Sequence, residues 1–163
     1  MSTLSIIKYG DPILRRKALK VDRIEKEDLL LIENMTETMY AHEGIGLAAP
    51  QVGTSKRIIV LDIGEGLRKL INPVVLESEG ENEHKEGCLS IPEVYVEVKR
   101  PSYTVVEGLN EYGERVRIEA EGLLSRVLHH EIDHLNGLLI VDYLSPAERV
   151  TLKRRLRNLR RYK

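Results

Sequence analysis

Leu128-His129-His130-Glu131-Ile132-Asp133-His134 is the stretch that decides how the chain is read. It contains His-Glu-x-x-His, from His130 to His134. On an α-helix, residues four apart stand one turn apart on one face, so both imidazoles reach a common point. Glu131 sits beside them, placed to handle a proton next to a metal ion. His129 is out of register with the pair. Leu123 and Val127, seven and three residues before His130, share its side of the helix and are candidates for an apolar wall. Gly122 opens this helix and Asn136-Gly137 closes it.

Downstream, Leu138-Leu139-Ile140-Val141 reads as a last short strand. Ser145-Pro146-Ala147-Glu148 is a capping box with proline at the first helical position, so a terminal helix to about Arg161 follows. Its apolar stripe is Leu152, Leu156 and Leu159. Arg149, Lys153, Arg154, Arg155, Arg157, Arg160 and Arg161 cover the rest.

Upstream, β-prone runs dominate: Arg57–Asp62, Leu70–Leu76 broken by Pro73, and Val94–Val98. Glu77 to Lys85 is polar and exposed. Tyr103–Val106 and Arg115–Ile118 flank Asn110-Glu111-Tyr112-Gly113 as a β-hairpin. Nearer the N-terminus, Ile6-Ile7-Lys8 reads as a short strand and Tyr9–Pro12 as a turn. Asp22-Arg23-Ile24-Glu25 resembles a capping box with Asp22 as N-cap. Leu29, Ile32, Met35, Thr36 and Met39 then keep helical spacing to about His42, where Gly44 stops them. The pattern implies an α+β fold: mixed, mostly antiparallel β-sheets around a central metal-binding helix, with a C-terminal helix.

At 163 residues, one domain spanning 1–163 is expected. Phe and Trp are absent, so Leu, Ile and Val fill the interior. A net charge of -1 gives no nucleic-acid signature for the chain as a whole. No apolar run is long enough to span a bilayer, and no secretory signal opens the chain. The lone cysteine excludes an internal disulfide and suits a reducing cytoplasm.

Two histidines leave a divalent ion with open positions, so the third protein ligand decides the type of site. Glu148 would make an HExxH zinc endopeptidase, but it already serves as the partner of Ser145 in the capping box. Cys88 is the better candidate. Gly87 before it permits tight backbone geometry and Pro92 beyond it restrains the turn. A structural metal knot would need four protein ligands, and three are in view. The stretch Gly44-Ile45-Gly46-Leu47-Ala48-Ala49-Pro50-Gln51 lets a ligand approach the backbone closely. It lacks the Gly-Lys-Ser/Thr of a phosphate loop.

Together, Gly44–Gln51, Glu86-Gly87-Cys88-Leu89-Ser90 and His130–His134 resemble the three signature motifs of the peptide deformylase family, in the same order. Gly10-Asp11-Pro12-Ile13-Leu14 is similar to that family too. The resemblance implies a hydrolase that removes the N-formyl group from the N-terminal formyl-methionine of new polypeptides. Cys88, His130 and His134 would then hold one divalent metal, with Glu131 as general base and acid. Gln51 and the Leu89 backbone N–H resemble the family's oxyanion donors. The backbones of Ile45, Gly46 and Gly87 resemble its peptide-binding edges, and Ile45, Leu123 and Val127 would wall the methionine pocket. The resemblance implies Fe²⁺ as the ion, although Zn²⁺, Ni²⁺ and Co²⁺ suit the same donors. The basic terminal helix reads as a solvated face or as a ribosome contact.

Overall fold

The computed structural model describes residues 2–161, with side chains described through residue 157. The described elements in chain order are α1 (Lys26–Ala41), β1 (Gly46–Ala48), β2 (Ile58–Leu61), β3 (Arg68–Glu79), β4 (Asn82–Cys88), β5 (Ile91–Arg100), β6 (Tyr103–Leu109), β7 (Arg115–Glu121), α2 (Leu123–Leu135) and α3 (Pro146–Arg161). Five strands form an antiparallel sheet in the order β1-β2-β3-β6-β7, and β4 pairs with β5 in a second sheet. The α+β expectation holds, with every strand pairing antiparallel.

Strand β2 shows why α2 sits where it does. Alternate residues of a strand face opposite ways. Ile59 and Leu61 therefore join Leu124, Val127, Leu128, Ile132 and Leu135 of α2 in one buried cluster. Ile58 and Val60 face the other way and pack on Ile32, Met35 and Met39 of α1. A third cluster combines Val94, Val96 and Val98 of β5 with Leu139–Val141 and Leu156 of α3. Helix α2 thus lies between the large sheet and the β4–β5 ribbon. No helix among the described residues is long and apolar enough to cross a membrane.

Several expectations need correction. Helix α1 begins at Lys26, not after Asp22: Asp28 returns a bond to the Glu25 N–H (2.9 Å) and takes the Lys56 ammonium (2.6 Å), so a distant lysine selects the later cap. Strand β3 runs through Pro73. The register shifts between Ile71 and Val74, with Asn72 at φ 54, and a proline is tolerated at such a bulge. Glu77–Lys85 is largely exposed yet extended, ending β3 and opening β4. Leu138–Val141 is no strand. A turn at Gly137 and a 3-10 segment, Ile140–Tyr143, bury the same apolar residues. Ile6–Lys8 makes no strand either. Its segment crosses behind two loops, with Ile7 N–H on the Gln51 carbonyl (2.7 Å) and Tyr9 N–H on the Ser90 carbonyl (2.8 Å).

The β6–β7 hairpin forms as read, with Val106 opposite Ile118. Its turn is held by Asn110 Oδ1, which accepts from Tyr112 N–H (2.9 Å) and Glu114 N–H (3.0 Å). The Ser145–Glu148 capping box also forms, at 3.0 and 3.2 Å. Leu156 is buried and Leu152 half-buried; the side chains of Leu159, Arg160 and Arg161 lie outside the described residues.

Candidate metal centre

Cys88 ends β4 and the two histidines stand on α2, yet one donor atom from each of Cys88, His130 and His134 lies within 4.8 Å of the others. The sulfur is 3.4 Å from His134 Nε2. Burial pushes His134 well below its ordinary pKa, so its ring stays neutral and ready to donate a lone pair. For His130, burial pulls the same way, but Cys88, Glu131 and Glu86 outweigh it and push the ring well up. Positive charge is therefore favoured at this point, and a thiolate with two imidazoles is a donor set that a divalent transition metal meets well. The residues fit such an ion.

Glu131 is 4% exposed, and its Oε1 has no hydrogen-bond partner among the described residues. Burial raises its carboxyl to about 7. A carboxyl near neutrality both accepts and returns a proton readily. Gly46 makes room for it: a Cβ there would overlap Glu131 Oε2 and stand 2.9 Å from its Cδ. This is a steric reason for glycine that the sequence pattern did not reveal.

Gln51 is buried and held on both ends. Its Oε1 accepts from the Ala48 N–H (3.0 Å), while its Nε2 donates to Ser90 Oγ (3.1 Å) and faces Cys88 Sγ at 3.6 Å. Leu89 is half-buried in the turn after Cys88. A cavity of about 660 Å³ brings together Ile45, Gly46, Gln51, Gly87, Cys88, Leu89, Leu123, Val127, His130 and Glu131. Val127 is buried there, whereas Ile45 and Leu123 are 44% and 50% exposed and face the opening. Among the described residues, the edges of β1 and β4 that border this cavity carry no partner strand. Glu148 is absent from the site, being spent on its cap with Ser145.

Sequence reasoning missed the polar residues behind the histidines. His130 Nδ1 meets Glu86 Oε1 at 2.9 Å. Arg100 grips both oxygens of Glu86, each at 2.9 Å, and Arg126 reaches Oε2 at 2.5 Å. Burial alone would raise the Glu86 carboxyl; the bonds from Arg100 and His130 outweigh it and hold it down at about 2. Tyr143 is pushed up to about 12 by burial and by Asp133, so its hydroxyl stays protonated and donates to Asp133 at 2.6 Å. One signal was available: Arg126 lies four residues before His130, on its face of α2, and a charge pointing inward requires a buried counter-charge. Arg100, at the end of an ordinary strand, carried none.

A family model described as polypeptide deformylase matches residues 3–150. The chain is 55% identical over 148 residues to peptide deformylase 1 of Clostridium acetobutylicum, covering 91% of this chain and 99% of that protein. Among solved structures, it resembles a peptide deformylase from Legionella pneumophila (TM-score 0.92, 40% identity, 98% of this chain and 96% of that one). It also resembles that of Ehrlichia chaffeensis in complex with actinonin (TM-score 0.93, 36% identity, 97% and 98%).

Proposed function

Since the chain belongs to the polypeptide deformylase family, we propose for its own residues the roles that follow in a metal-dependent hydrolysis. The reaction is removal of the N-formyl group from the formyl-methionine that begins new polypeptides. Water adds to the formyl carbon, the C–N bond breaks, and formate and a free amine leave. Cys88, His130 and His134 hold one divalent ion; when bound, it supplies the Lewis acidity that polarises the formyl group and acidifies water. Glu131 takes the proton from the attacking water and passes it to the leaving nitrogen. Gln51 Nε2 and the Leu89 N–H receive the charge that develops on the formyl oxygen. The substrate backbone lies extended between Ile45-Gly46 and Gly87, as a strand added between two open edges. Ile45, Leu123 and Val127 enclose the methionine side chain.

The observation that carries this reading is the meeting of Cys88, His130 and His134 donor atoms within 4.8 Å, beside the Glu131 carboxyl, whose Oε1 has no partner among the described residues. Incubation with formyl-Met-Ala-Ser and with a blocked internal peptide tests it. Formate release from the first, with the second intact, is expected. Internal cleavage without formate would replace this assignment with an endopeptidase.

The resident ion is Fe²⁺ in this proposal. Freshly isolated enzyme then loses activity in air and keeps it under argon, and nickel or cobalt substitution protects it. Residues 1–163 act as a single catalytic domain working in the cytoplasm, where nascent chains are made. Exposed Arg149, Lys153, Arg154, Arg155 and Arg157 on α3 form a contact for ribosomal RNA phosphates. Exchanging Lys153, Arg154 and Arg157 for Gln should weaken cosedimentation with ribosomes in low salt. Unchanged cosedimentation would remove that contact.

A further inference from the structure

The two imidazoles of α2 converge on one point, but their far sides differ. His134 Nδ1 is buried with no hydrogen-bond partner among the described residues. His130 Nδ1 faces the Glu86 carboxylate, which fixes its proton on that nitrogen and turns Nε2 toward the sulfur. What holds Glu86 is therefore what orients the ring.

Two guanidiniums hold it, and they are not equivalent. Arg126 divides itself among Glu86, the Val98 carbonyl and Asn82, so it fastens α2 to the β4–β5 ribbon. Arg100 does something else. Its Nε and Nη2 fork onto Glu86, while Nη1 donates to Asp133 Oδ2 (2.6 Å) and to the Tyr143 hydroxyl (3.2 Å). Asp133 immediately precedes His134. The Tyr143 hydroxyl closes the ring of contacts by donating to the same Asp133 oxygen, and the Tyr143 face lies 4.8 Å from the guanidinium carbon. One buried side chain is thus bonded to the partner of the first histidine and to the chain neighbour of the second.

We propose that Arg100 is a positioning residue of the metal centre, orienting His130 through Glu86 and His134 through Asp133, with Tyr143 holding the guanidinium in place. This rests on the metal-centre reading given above. Lysine cannot replace it, because an ammonium has no fork with which to grip a carboxylate on two sides while also reaching a second one. The arrangement also links the site to residues near the start of α3, since Tyr143 lies two residues before the Ser145 cap.

Cobalt-loaded protein provides the test, comparing wild type with R100K, Y143F and V106A. Val106 is buried in the apolar cluster on the other side of α2 and controls for destabilisation alone. Four readouts apply: the cobalt d–d envelope and thiolate charge-transfer band, the rate of cobalt loss to a chelator, the separate kcat and KM for formyl-Met-Ala-Ser, and Tm. R100K should release cobalt about 10- to 100-fold faster, the range for loss of such outer partners. Its d–d envelope should change and kcat should fall at unchanged KM. Y143F should shift the same observables in the same direction by a smaller factor, and it decides the matter if R100K does not fold. V106A should lower Tm while leaving the spectrum and the cobalt release rate alone. Wild-type spectra and release rates in both R100K and Y143F would overturn the proposal. A wild-type protein lacking any thiolate-to-cobalt band would instead overturn the metal-centre reading beneath it.

Discussion

The two flanks of α2 are built from different chemistry. Toward the five-stranded sheet, Leu124, Leu128, Ile132 and Leu135 meet Ile59, Leu61, Leu70, Val106 and Ile118. Toward the β4–β5 ribbon, Arg126, His130 and Asp133 meet Glu86, Arg100 and Tyr143. Apolar burial is strong but without direction, so it fixes where the helix lies. Charge-assisted hydrogen bonds are directional, so they fix how its side chains are turned. Damage to the apolar flank should therefore show in stability alone, and damage to the ionic flank in site geometry as well.

The largest effect tests the residue between the flanks. Replacing Glu131 by Gln should lower kcat by about two to four orders of magnitude while the metal stays bound, measured by formate release and elemental analysis. The same change should stabilise the metal-stripped protein at high pH. The folded pKa of about 7 stands above the ordinary 4.5, so the folded chain holds this proton more tightly than the unfolded one. Ionised Glu131 then costs the fold roughly 3 kcal/mol above pH 7, at 1.36 kcal/mol per unit, and nothing below about pH 4.5. Urea midpoints for E131Q and wild type should separate at pH 8 and merge at pH 4.

On the apolar flank, Leu128→Ala should cost about 2–5 kcal/mol of stability by denaturant titration. Its kcat, measured well below the new Tm, should stay close to wild type. A collapse of kcat without loss of stability would erase the distinction between the flanks.

The ionic flank responds to acid. Glu86 is held at about 2, below its ordinary 4.5, so the stability it contributes is complete above pH 4.5 and is lost as pH falls toward 2. The size is roughly 3 kcal/mol from the same constant. E86Q should flatten this part of the curve of stability against pH.

The smallest of these effects sharpens the contrast without touching either flank. Gly46→Ala places a methyl against the Glu131 carboxylate. A displaced catalytic group typically loses about 100-fold in rate, so kcat should fall by that order while Tm changes little.

How far the sequence could be read follows from the range of the forces involved. Local pattern carried the α2 motif, the β6–β7 hairpin and the Ser145 cap, because each depends on neighbours within a few residues. Gly87, Pro92 and the local duty of Glu148 already favoured Cys88 as third ligand, and the resemblance to deformylases added a role for Gln51 beside it. What failed to show was decided far along the chain. Lys56 moves the start of α1 from Asp22 to Glu25. Asn72 spans to both backbone groups of Val21, helping to seat the bulge that lets Pro73 stay within β3. Leu138–Val141 has a strand's composition, yet Gly137 turns it inward and a 3-10 segment packs its apolar side chains on Val94, Val96 and Val98 of β5. The Arg100–Glu86–Asp133 network joins three segments that no local pattern connects.

The bare margins of β1 and β4 bring a consequence for timing. Gly46 of β1 and Gly87 of β4 line the same cavity, so in the substrate reading proposed above one extended guest pairs with both margins. In that reading, entry demands a guest whose own backbone is still unclaimed. A polypeptide whose first residues have already coiled or joined a sheet has nothing to offer those margins. On the proposed substrate path, the enzyme is in a race with its substrate's folding.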